Sequence, residues 1–123
     1  KEIGEDIIAS YKRAFNILVS ELKNSDLKLS NTTDPAIFKN DYERNLLKKI
    51  KELRKYFTNI NKDENYTESL TNLADAKKEI FEFFDNVKVN DEDKNIKKNR
   101  LELLQMLCKT FDNYINFSKI ETN

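Results

Sequence analysis

An all-α fold, an antiparallel bundle of four long helices plus a short one, is what this sequence predicts from three features. Apolar residues recur at three- and four-residue steps in four separate segments, the period of a helix with one buried face. Gly4 and Pro35 are the only glycine and proline among 123 residues, so few positions interrupt a helix. Charged residues make up 36% and apolar residues 38%, which suits helices that bury a stripe and solvate the rest.

The first helix is expected over Glu2 to Lys23. Ile3, Ile7, Tyr11, Ala14, Leu18 and Leu22 form its stripe, and Ile8, Phe15 and Val19 widen it. Asn24 to Thr33 is polar and reads as a loop, pinned to the core by Leu27 and Leu29. Asp34-Pro35 is a helix-start signal, because Asp can cap and Pro suits the first helical position; a short turn follows through Phe38. The second long helix is expected from Asp41 to Asn59, with Leu46, Ile50, Leu53 and Phe57 inside and Leu47 at the flank. Asn61 to Asn65 is a polar break. One continuous third helix is expected from Tyr66 or Thr67 to Phe84, with Leu70, Leu73, Ile80, Phe81 and Phe84 inward. Asn86 to Asn90 connects it, partly extended at Val87 and Val89, to a last helix over Asp91 to Phe117. Asp91, Glu92 and Asp93 suit the positive end of that helix's dipole, and Leu104, Leu107, Cys108, Phe111 and Ile115 form its seam.

At this length the chain, residues 1–123, reads as one domain with one core; starting at Lys1, it is expected to be cut from a longer protein. Twenty-two basic residues balance 22 acidic ones, so overall charge argues neither for nor against nucleic acid, and only clustering can. The lone Cys108 forbids an internal disulfide. With no histidine, there is no Ser-His-Asp or Cys-His device and no His-ligated zinc; with one glycine, there is no phosphate-cradling loop. Catalytic and metal residues are therefore expected to be none.

Two constellations remain. Arg100 lies four residues before Leu104 and seven before Leu107, so it points toward the seam of the last helix. A charge there needs a partner or a route to solvent. Asp85 and Asp93 are the candidate partners, giving an arginine–carboxylate clasp that fixes the joint to the helix. The competing reading offers Arg100 to an RNA phosphate or base, and the clasp is favoured. Asn86 and Asn99 are expected to bond backbone at the same joint. The second constellation is basic. Arg44, Lys48, Lys51 and Lys55 fall on one face of the second helix, opposite its apolar stripe. Such a stripe can track a phosphate backbone or be a plain solvated face. Lys12 and Arg13, with Asn16 nearby, and Lys88, Lys94, Lys97 and Lys98 pose the same choice. Phe83, Tyr56 and Tyr114 are the candidates for stacking on bases, since the other phenylalanines sit on inner stripes.

Four motifs in order add a resemblance. Lys12-Arg13-Ala14-Phe15-Asn16-Ile17-Leu18 is similar to K-R-V-x-N-I-L, and Asp34-Pro35-Ala36-Ile37-Phe38 with Glu43 and Leu46 to D-P-x-L-F with E-x-x-L. Phe83-Phe84-Asp85-Asn86-Val87-Lys88-Val89 is similar to F-F-D-N-V-M-V, and Asp93 with Ile96-Lys97-Lys98-Asn99-Arg100-Leu101 to D followed by L-R-x-N-R-L. In these the chain resembles the C-terminal anticodon-binding domain of bacterial glycyl-tRNA synthetase beta subunits, related to that of arginyl-tRNA synthetases. The resemblance implies a cytoplasmic ligase domain that itself is non-catalytic and holds the anticodon arm of glycine tRNA. The partners it implies are the alpha subunit and the remainder of the beta subunit. ATP and magnesium would belong to the alpha subunit, leaving no cofactor in this domain. The alternative is a helical protein-interaction or scaffold module without RNA binding, which would have no reason to carry the four motifs in order.

Overall fold

The computed structural model describes residues 2–23, 25–30, 32–59 and 66–114. Helix α1 spans Glu2–Lys23, α2 Asp41–Thr58, α3 Tyr66–Asp75, α4 Lys77–Asn86 and α5 Lys94–Tyr114, with a 3-10 turn at Pro35–Ile37. There is no strand among the described residues, and no helix there is long and apolar enough to cross a membrane. The polar break at Asn61 to Asn65, the expected roles of Asn24, Ile115 and Phe117, and the side chains of Ile3, Leu70 and Tyr114 lie outside what is described.

Successive long elements reverse direction, but two pairs of sequence neighbours, α1 with α2 and α4 with α5, are not neighbours in space. Tyr11 Oη donates to Asp112 at 2.7 Å and Lys97 pairs with Glu21 at 2.8 Å, so α1 and α5 are antiparallel. Lys77 pairs with Asp6 at 2.6 Å and the Arg13 guanidinium lies 4.5 Å above the Phe84 ring, so α1 and α4 are parallel. Arg100 meets Glu43 and Arg54 meets Thr110, so α2 and α5 are parallel too. Helix α1 packs on α5, α3 and α4, and α2 on α4, α5 and α3, whereas α1 with α2 and α4 with α5 touch little among the described residues. The described parts of the α1–α2 connection, 25–30 and 32–40, and the α4–α5 connection, 87–93, therefore cross the same end of the bundle diagonally. Each carries backbone over buried ground and needs hydrogen-bond partners there.

One apolar core joins all five helices. Ile7, Ala14 and Leu18 of α1 face it, as do Leu46, Ile50, Leu53 and Phe57 of α2, and Leu104, Leu107, Cys108 and Phe111 of α5, each as its periodicity requires. Leu47, expected at the flank, is also buried and belongs to the same core. Burial raises the Cys108 thiol to about 12, with a smaller push from the Asp112 charge. The Tyr11 hydroxyl rises to about 12 through burial first, then through its bond to the Asp112 carboxylate and that charge.

The expected third helix is two. At Ala76 the backbone tightens, Ala76 N donating to Leu73 O at 3.0 Å, before α4 resumes. The buried row is Leu73, Ala76, Ile80, Phe83 and Val87. That row is itself at helical spacing, but its second residue, Ala76, offers a lone methyl group and carries little hydrophobic signal. Phe81 and Phe83 exchange the places expected of them: Phe83 is fully buried and Phe81 is 37% exposed. On α1, Phe15 and Val19 do not widen the buried stripe; they are 47% and 48% exposed. The last helix starts at Lys94, not Asp91. Asp93 is its cap, accepting from Asn95 N at 2.8 Å and Ile96 N at 3.3 Å.

Candidate nucleic-acid interface

The crossing connections are held by three polar side chains in the first turns of α5. Asn99 is buried; its Oδ1 accepts from Thr33 Oγ1 at 2.7 Å and Asp34 N at 2.6 Å, and its Nδ2 donates to Asp34 O at 3.0 Å. Glu102 Oε2 accepts from Ser30 N at 2.9 Å and Ser30 Oγ at 2.6 Å. Arg100 is 5% exposed; Nε donates to Glu43 Oε2 at 3.1 Å, and Nη1 to Lys88 O at 2.7 Å and Asp91 Oδ2 at 3.4 Å.

Glu43 is the hub of this junction. It is fully buried, and its other oxygen, Oε1, accepts from Lys39 N at 2.7 Å and Asn40 N at 3.2 Å. Asn40 Oδ1 returns the bond to Glu43 N at 3.1 Å, completing a capping box at the start of α2. One carboxylate thus satisfies the first connection and, through Arg100, the second. This corrects the expected partners: neither Asp85 nor Asp93 pairs with Arg100. Asp85 is exposed at the end of α4, and Asp93 is spent on capping α5. Asn86 bonds Glu82 O within its own helix at 2.9 Å, and Asn99 serves the other connection. The pattern Asn40-x-x-Glu43 signals the capping box in the sequence, but nothing there reveals that Glu43 has an arginine 57 residues away. Ser30, Thr33 and Glu102 are likewise invisible to pattern, as is Arg54, whose Nε donates to Thr110 Oγ1 at 2.9 Å.

The junction positions a surface. Anchored through Asn99, the first connection brings Pro35 and Phe38 to the same groove as Leu47 of α2. With Arg44, Lys48, Lys51, Glu52 and Lys55 they line an open groove of about 490 Å³. Its floor is carbon and most of its rim is cationic. Arg44 is bridged to Asp41 at 2.9 Å, while Lys48, Lys51 and Lys55 are exposed with no ion pair among the described residues.

The other candidates do not join this groove. Lys12, Arg13 and Asn16 line a separate depression on α1 with Ala9, Ile17, Ser20 and Glu21. Arg13 is committed to the Phe84 ring and Lys97 to Glu21. Lys88 and Lys94 are exposed and Lys98 half-buried around the second connection. Of the stacking candidates, Phe83 is inside the core, and Tyr56 is half-buried with its ring edge-on to Phe57 at 5.1 Å.

Fold and surface together define an all-α domain whose polar junction presents a cation-rimmed apolar groove. The chain belongs to the DALR anticodon binding domain family, which it matches over residues 7–122. It is 32% identical over 120 residues to the glycine–tRNA ligase beta subunits of Rickettsia prowazekii (strain Madrid E) and Rickettsia typhi (strain Wilmington), and 34% identical over 120 residues to that of Rickettsia bellii (strain OSU 85-389). Each alignment covers 98% of this chain and 17% of the relative, so the chain spans about a sixth of the length of the relatives it matches.

Proposed function

We propose that this chain is the anticodon-binding domain of a glycine–tRNA ligase beta subunit and holds the anticodon arm of glycine tRNA on the α2 face. The observation that carries the reading is the near-complete alignment of the chain with beta subunits of that name. The geometry supports it: three exposed lysines at one-turn intervals rim a preformed groove, although the chain has no net charge to attract RNA generally. The domain's task is positioning. A tRNA gripped at its anticodon end is oriented for aminoacylation elsewhere, which we assign to the alpha subunit with ATP and magnesium. The remainder of the beta subunit is the second protein partner, and the complex is cytoplasmic.

The test is binding of the 123-residue chain to glycine tRNA and to a mismatched tRNA over a range of salt. Glycine tRNA should bind more tightly. Reversing Lys48 and Lys51 to Glu should lower the log–log salt slope by about 0.7 to 0.9 for each phosphate no longer neutralised, without altering the fold. Reversing Lys94 and Lys98 asks the same of the second connection and leaves the Lys97–Glu21 pair in place. Binding no better than that of the mismatched tRNA, with no response to either pair, would leave the scaffold reading in place.

A further inference from the structure

Helix α1 carries a second apolar stripe that the core does not use up. Ile8, Tyr11, Phe15, Val19 and Leu22 follow one another at three- and four-residue steps, beside the buried Ile7, Ala14 and Leu18. Phe15 and Val19 are exposed, and Ile8, Tyr11 and Leu22 are half-buried. Resting on the reading of this chain as one domain of a beta subunit, we infer that this flank of α1 is the seat on which the remainder of the same beta chain docks.

Three observations carry the inference. First, the stripe is held ready. Phe111 is fully buried, the Tyr11 ring stacks on it at 6.0 Å, and the Phe15 ring stacks on Tyr11 at 6.0 Å, so a run of rings leads from core to surface. The Tyr11 hydroxyl donates to Asp112 at 2.7 Å, which fixes the middle ring. An exposed aromatic of settled orientation suits the anchor of a protein interface, because little ordering remains to be done on binding.

Second, the charges beside the stripe do not suit RNA. Its outer edge carries Glu5, Lys12, Asn16 and Lys23, a mixed set, while Arg13 lies on the other flank of α1 over the Phe84 ring. Among the described residues, that edge offers no run of cations to follow phosphates. Such a run stands on α2, and α1 and α2 lie diagonally across the bundle. tRNA held on α2 thus leaves this flank of α1 uncovered. An apolar centre with a polar edge of mixed charge is the composition of a protein contact.

Third, the stripe is too small for a partner that arrives alone. About half of Phe15 is exposed, on the order of 100 Å², and Val19 adds less; a free-standing complex needs ~800 Å² per partner. A partner joined to this domain by its own backbone is present at high effective concentration and needs far less surface. The chain aligns with 17% of the length of its relatives, and the rest of a beta subunit is there to supply that partner. RNA is then gripped on α2 and the rest of the subunit on α1, with the bundle between them setting their relative position.

The experiment compares the full beta subunit that carries this domain with the 123-residue chain. In hydrogen exchange, the amides of residues 12–20 of α1 should exchange at least about tenfold more slowly in the full subunit, while those of residues 48–55 of α2 should not change. Phe15→Glu with Val19→Glu should return the α1 amides to the rate of the isolated chain, and should leave the isolated chain's binding of glycine tRNA as it was. Phe15→Leu should keep the protection. Val19→Glu alone should also release the seat, and it serves where the double change unfolds the chain. A photoreactive group at position 19 should cross-link within the subunit to sequence outside this domain. Equal exchange in the two proteins, or cross-links to a second copy, to the alpha subunit or to tRNA, would overturn the seat while tRNA binding stands. If α1 is protected and cross-linked as expected but glycine tRNA is not bound, the anticodon-arm reading falls and the seat stands. If neither is seen, both fall.

Discussion

Replacing Arg100 with Ala removes the cation bonded to a carboxylate that has no route to water. The Glu43 side chain is 1% exposed and that of Arg100 7%. After the change Glu43 keeps its bonds from Lys39 N and Asn40 N but is deprived of the opposing charge, and Lys88 O is deprived of a charged donor at 2.7 Å. Breaking a buried pair from one side costs about 3–5 kcal/mol, because the survivor stays buried and uncompensated. For a domain with about 5–15 kcal/mol in total, that is a large fraction. Urea denaturation followed by circular dichroism should show the midpoint falling sharply at constant slope. Lys48→Ala on the exposed face should stay within about 0.5 kcal/mol. Combining Arg100→Met with Glu43→Gln should cost less than the sum of the two single changes, since neither then leaves a buried charge behind. A destabilisation below about 1 kcal/mol for Arg100→Ala, with an additive double mutant, would refute the junction as described.

Asn99→Ala should cost about 1–3 kcal/mol, because the N–H and carbonyl of Asp34 are left without their partner while Thr33 Oγ1 keeps only the backbone carbonyl of residue 99, and amide exchange should quicken at Asp34 and Ala36 before the helices open. Tyr11 and Cys108 hold their protons to about 12, against ordinary values of 10 and 9. The stability they contribute is complete below about pH 9 and is lost as pH rises toward 12; melts across that window should fall, and less steeply in Tyr11→Phe. At about pH 8 the Cys108 thiol should resist iodoacetamide in the folded chain and react once urea unfolds it.

Helices that carry strong apolar periodicity are legible from their residues alone. The start of α1 and α2, the seam of α5 and the core leucines of α2 follow from spacing alone, because burial of one face is a local consequence of the helical repeat. The break at Ala76 was legible only in part. A row marked by Leu73, Ile80 and Phe83 competes with one marked by Phe81 and Phe84, and side-chain hydrophobicity cannot choose between them. The basic stripe of α2 was visible as well, since its four cations share one helix face.

What those features do together depends on how the helices pack. Arg100 had to be buried and paired, as its place on the seam requires, but its partner was set by diagonal packing that puts the start of α2 beside α5. Glu43 lies 57 residues away in sequence, and no periodicity spans that distance. The same packing carries two connections across one end of the bundle, which is why Asn99 and Glu102 are buried polar groups and not surface ones. It also sets Pro35 and Phe38, which come from a different segment, in one groove with Leu47 and the lysine stripe. Helical pattern records which face of each helix is dry. Which helices meet, and what their connections must bond to on the way, depends on long-range geometry that is settled only when the whole core closes.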